Sequence, residues 1–152
     1  MLTIVIIAIA VLIFWIISDQ FQKQAEIKSD STLANGLKSK YPITLKSLNQ
    51  MDFNILKETK TELVFKKVIL KENLLCRMDL TYLPGHIIQC IIQTHSISPN
   101  RPLDMNTYNC SSALTDEEFQ KKIHFNLLDF DRCITSINPN RLLGLVENTL
   151  EY

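Results

Sequence analysis

The chain has 152 residues, with 16 Lys plus Arg against 16 Asp plus Glu, so its formal charge is zero. That length suits one domain, and neutrality excludes a strongly basic nucleic-acid binder and an acidic disordered tail. The 46 % hydrophobic fraction is unevenly spread, because 16 of the first 17 residues are apolar and none of them is charged.

From Leu2 to Ile17 only Thr3 is polar, and the first charge is Asp19. Sixteen helical residues cover about 24 Å against a hydrocarbon core of about 30 Å. Slight bilayer thinning absorbs the difference. Trp15 and Phe21 fall where interfacial aromatic rings are expected, and Lys23 and Lys28 follow as the basic flank. Residues 1–18 are therefore expected to be a transmembrane signal anchor that contacts lipid through residues 2–17. The competing reading is a cleaved export signal. It wants a basic start and a small-x-small cut site. No Lys or Arg precedes the apolar run, and neither Ile16 with Ser18 nor Lys23 with Ala25 supplies such a site. The Lys bias after the anchor favours the rest of the chain on the cytoplasmic side.

Residues 19–40 read as a juxtamembrane spacer. Good helix formers run to Lys28, Ser29-Asp30-Ser31-Thr32 breaks them, and Asn35-Gly36 signals a turn. Tyr41-Pro42 then opens a small α+β domain over residues 41–152, since the residue before Pro is pushed out of the helical basin. Residues 53–56, 63–70, 74–83 and 87–94 are rich in Ile, Leu, Phe and Val and are separated by polar turns. They predict an antiparallel meander of three to four strands, with Pro84-Gly85 at the centre of a type II turn. The isoleucines at 87, 88, 91 and 92 also match helical spacing, but four β-branched residues in a short run favour a strand.

Residues 96–112 hold two prolines, Asn100, Asn106 and Asn109, and predict a loop. Thr115 followed three residues later by Glu118 is a capping box. Phe119, Ile123, Leu127, Phe130, Ile134 and Ile137 then form an apolar stripe at helical spacing. Asn138-Pro139 stops that helix and starts a second amphipathic one carrying Leu142, Leu143, Val146 and Leu150. The expected fold is α+β: an N-terminal transmembrane helix, a meander sheet, and two C-terminal helices over one sheet face.

Chemistry is sparsely signalled. Cys76, Cys90, Cys110 and Cys133 contain no C-x-x-C pair, which argues against a redox motif or a zinc ribbon. In an oxidising compartment they could form disulfides, Cys76 with Cys90 and Cys110 with Cys133 being the first choice; in the cytoplasm they are core thiols. Cys76, His86, Cys90 and His95 are the nearest approach to a metal set. Strand parity puts His95 on the wrong face, so no metal is expected. A thiol nucleophile would be Cys90 with His95, or Cys110 with His124. No G-x-S-x-G elbow or phosphate-cradling glycine loop is present, and no catalytic or cofactor-binding residue is assigned.

The charge is polarised: residues 18–75 hold 10 basic and 7 acidic groups, or +3, and residues 76–152 hold 6 and 9, or −3. Lys57, Lys60, Lys66, Lys67 and Lys71 concentrate on the first strands, where Lys protects sheet edges or meets anionic headgroups. The expected function is a single-pass membrane-anchored accessory or protein-interaction module with a protein partner, no catalysis and no nucleic acid. The alternatives are a thiol-dependent enzyme using Cys110 or Cys90, and an exported disulfide-bonded binding or inhibitor domain with a cleaved signal.

Overall fold

A computed structural model describes residues 9, 11–21, 35–98 and 100–137. Residues 11–21 form a helix, α1, with Phe14, Trp15 and Phe21 exposed. Among the described residues no helix is long and apolar enough to cross a membrane. Lys23, Lys28, most of the expected spacer and the helix expected after Pro139 lie outside the described residues.

Two short helices, α2 (Gly36–Lys40) and α3 (Pro42–Gln50), precede the sheet. Gly36 has φ +83, and a Cβ there would meet the Lys60 backbone at 3.3 Å. Glycine alone meets both demands without strain. The adjacent Leu37 N–H donates to the Lys60 carbonyl at 3.1 Å, and its side chain is buried in the core. Among the described residues, Leu37 of α2 thus already belongs to the core. Tyr41 leaves the helical basin (φ −125, ψ 55) and Pro42 occupies the first turn of α3, as the X-Pro restriction requires.

The sheet is a pure antiparallel meander in the order β1-β2-β3-β4-β5: Asn54–Glu58, Glu62–Ile69, Leu74–Leu83, Ile87–Ser96 and Arg101–Ser111. It has five strands, not three to four. The expected loop over residues 96–112 is β5, paired along the whole of β4 with one irregularity at Thr94/His95. Isoleucines 87, 88, 91 and 92 are in a strand, not a helix. The β3–β4 turn has Gly85 at φ +80 and His86 at φ 60, so Gly85 supplies the positive φ expected after Pro84.

In β3 burial alternates strictly, with Leu74, Cys76, Met78, Leu80 and Tyr82 buried; Ile88, Cys90, Ile92 and Thr94 of β4 share that face. The long helix α4 (Asp116–Ile137) lies over it. Phe119, Ile123, Leu127, Phe130 and Ile134 of the predicted stripe are each buried at spacings of three or four residues. The capping box forms as expected: the Thr115 N–H donates to Glu118 at 2.9 Å, and the Glu118 N–H donates to the Thr115 hydroxyl at 3.3 Å. Tyr41 stacks on Phe119 with ring centroids 4.0 Å apart, locking α3 against α4.

Candidate functional site

The covered face places the cysteines. Cys76 and Cys90 are fully buried, Cys110 half-buried and Cys133 exposed. Cys76 lies opposite Thr94 and Cys90 opposite Leu80. The first two cysteines are therefore four residues out of register, about 14 Å along the strand, where a disulfide tolerates about 7 Å between Cα atoms. Cys133 lines a groove of about 280 Å³ with Leu103 and Asn106, at least four residues along β5 from Cys110. The Cys76–Cys90 pairing is therefore out of reach in this register. Burial pushes the Cys76 thiol up to about 12, the Cys110 thiol up to about 11, and the Cys90 thiol well above its ordinary value. None of these three offers an activated thiolate near neutral pH.

Neither candidate Cys–His pair forms a hydrogen bond among the described residues. His95 has the parity of the opposite sheet face from Cys90. Cys110 donates to the Ile88 carbonyl at 3.5 Å, while His124 meets the Ser47 hydroxyl at 2.8 Å. Among the described residues no three His, Cys, Asp or Glu side chains cluster as a metal site would need.

Three polar contacts with no local sequence signal join the helices to each other and to the sheet. The Asp116 carboxylate accepts from the Ile43 N–H at 2.6 Å, the Thr44 N–H at 3.0 Å and the Thr44 hydroxyl at 2.7 Å. It therefore caps α3 from the first turn of α4. The Ser47–His124 contact links the same two helices further along, one turn on in α3 and about two in α4. Tyr108 on β5 donates to Asp129 on α4 at 3.0 Å. Asn126 is fully buried against the Cys90 thiol, and neither atom of its amide has a hydrogen bond among the described residues. These contacts organise the covered layer.

The other sheet face carries no helix among the described residues. The register sets Val64, Asp79, Ile91 and Thr107 in one row and Lys66, Arg77, Gln93 and Met105 in the next. Arg77 Nε donates to Asp79 Oδ1 at 2.7 Å along the centre of this face. Met105 is 64 % exposed, Ile87 is exposed, and Ile91 is half-buried. The face is a mixed apolar and hydrogen-bonding surface about four strands wide. Comparison with family models, curated proteins and solved structures finds no match to this chain.

Proposed function

We propose that the chain is a single-pass membrane-anchored accessory module whose open sheet face binds a protein partner and which has no catalytic activity. The observation that carries this reading is the asymmetry of the sheet. One face is filled by α3 and α4, while the other presents Ile87, Ile91, Met105, Gln93, Thr107 and Asn109 among fixed backbone. Apolar side chains spaced among hydrogen-bonding ones are the composition of a partner-binding surface. The run of 16 apolar residues at positions 1–17 supports lipid anchoring through residues 2–17, with Trp15 and Phe21 at the interface and the Lys23 and Lys28 flank favouring a cytoplasmic domain. The thiol-enzyme alternative is disfavoured by the raised thiols of Cys90 and Cys110, and the Cys76–Cys90 bridge of the disulfide-bonded alternative by the register.

The test is site-specific photocrosslinking in the native membrane. A photoreactive side chain replacing Ile91 or Met105 should give one discrete adduct, and one replacing the exposed Lys121 of α4 should not. Equal yields from all three positions, or no adduct from the sheet, would contradict the proposal.

A further inference from the structure

We infer that the end of the sheet at the β2–β3 and β4–β5 turns is a membrane-contact surface for anionic lipid. The inference deepens the anchored reading and rests on it. The 3-10 turn Leu70–Glu72 pushes Leu70 out to 82 % exposure, the largest among the described hydrophobic residues. Val68 and Ile97 are also exposed, and with Leu70, half-buried Leu75 and His95 they line a shallow concavity of about 440 Å³. Large apolar side chains gathered at a turn, where no core claims them, mark a docking surface and not ordinary surface scatter.

Charge identifies the occupant. Lys66 follows β2 into this corner, Lys71 sits in the turn beside Leu70, and Arg101 opens β5 from the facing turn; all three are exposed. No described carboxylate forms an ion pair with any of them, whereas Lys38 and Lys57, at the opposite end of the sheet, are bonded to Glu58 and Glu62. Glu72 is the one acidic residue of the turn. Apolar tips ringed by unspent cations complement a headgroup layer, in which each Lys or Arg near the surface raises partitioning about five-fold. The chain itself supplies proximity. The 16 residues between positions 18 and 35 reach at most about 60 Å, so an anchored domain is always within range of the bilayer.

The single tryptophan, Trp15, allows the patch and the anchor to be read separately. The full chain is reconstituted into vesicles of phosphatidylcholine and phosphatidylglycerol with brominated acyl chains, which quench an indole only at short range. The unaltered chain reports the anchor through Trp15. A Trp15→Phe, Leu70→Trp chain reports the turn, at a position too exposed to matter for folding. The inference predicts quenching in both, and at the turn a several-fold loss of quenching when Lys66, Lys71 and Arg101 are changed to Glu or when phosphatidylglycerol is omitted. Quenched Trp15 with an unquenched indole at position 70 overturns the inference and leaves the anchor standing. Unquenched Trp15 overturns the anchored reading itself. An indole at position 70 whose emission shifts blue with protein concentration in lipid-free detergent points to a second copy on this corner and also overturns it.

Discussion

Replacing Asp116 with Ala should loosen the whole helical layer, because one carboxylate closes the start of a helix more than 70 residues earlier in the chain. Pro42 has no N–H, and the Leu45 N–H already reaches the Tyr41 carbonyl at 3.1 Å. The donors left over are the Ile43 and Thr44 N–H groups, and Asp116 accepts from both. Losing such a cap costs about 0.5–2 kcal/mol, and losing a carboxylate at a helix N-terminus costs about 0.3–1 kcal/mol more. A total near 2 kcal/mol raises the opened population about 30-fold. The Cys90 thiol is fully buried and its ionisation suppressed, so it reacts only when the layer opens. Its alkylation rate under native conditions, followed by peptide mass spectrometry, should rise about 30-fold in Asp116→Ala. Asp116→Asn keeps an acceptor but loses the charge, and should cost about 0.3–1 kcal/mol. A rate in Asp116→Ala within two-fold of the parent would refute the argument that α4 caps α3.

The thiols themselves should separate by position. Exposed Cys133 should be alkylated first, half-buried Cys110 slowly, and Cys76 with Cys90 only on unfolding; fast labelling of Cys76 in the folded chain would contradict the assigned register. Burial holds the His124 imidazole below its ordinary value of 6.5. The unfolded chain therefore binds the proton first, and stability is complete above about pH 6.5 and lost as pH falls from there through the folded value. His124→Gln, which can still bond Ser47, should flatten that part of the pH–stability curve; an unchanged slope would exclude His124 as its source. Asn126→Leu removes a buried amide that has no full hydrogen bond among the described residues, and such an unpaired group costs about 1–3 kcal/mol. It should raise the denaturation midpoint, and a lowered one would mean that the amide is satisfied in solution.

The parts of this fold that announce themselves in the sequence are those stabilised by local patterning. The alternation from Cys76 to Tyr82, the Pro84-Gly85 turn, the Thr115/Glu118 box and the stripe from Phe119 to Ile134 each carry a short-range rule, and each forms. Strand β5 escapes because it lies at the sheet edge. There Pro102 is tolerated near the strand start, and the residues turned towards α4 are Asp104, Asn106 and Tyr108, which bond one another, Thr94 and Asp129 instead of filling a core. Strand propensity scores such residues as loop. Helix α3 is hidden for a different reason. Its cap arrives from Asp116, and Ser47 is bonded by His124, 77 positions away, so no window of sequence contains either contact. The open face is equally silent from sequence alone, since Ile91 and Ile92 look alike until the register turns one towards α4 and the other away.

The claim at the centre of this account is that the first apolar run holds an otherwise self-sufficient domain to a bilayer. Alkaline carbonate extraction of membranes from cells making either the full chain or residues 19–152 tests it directly, because the wash strips proteins held by charge and leaves those held by a buried helix. The full chain should stay with the membrane pellet and residues 19–152 should be released. Equal retention of the two, or release of both, would contradict the account.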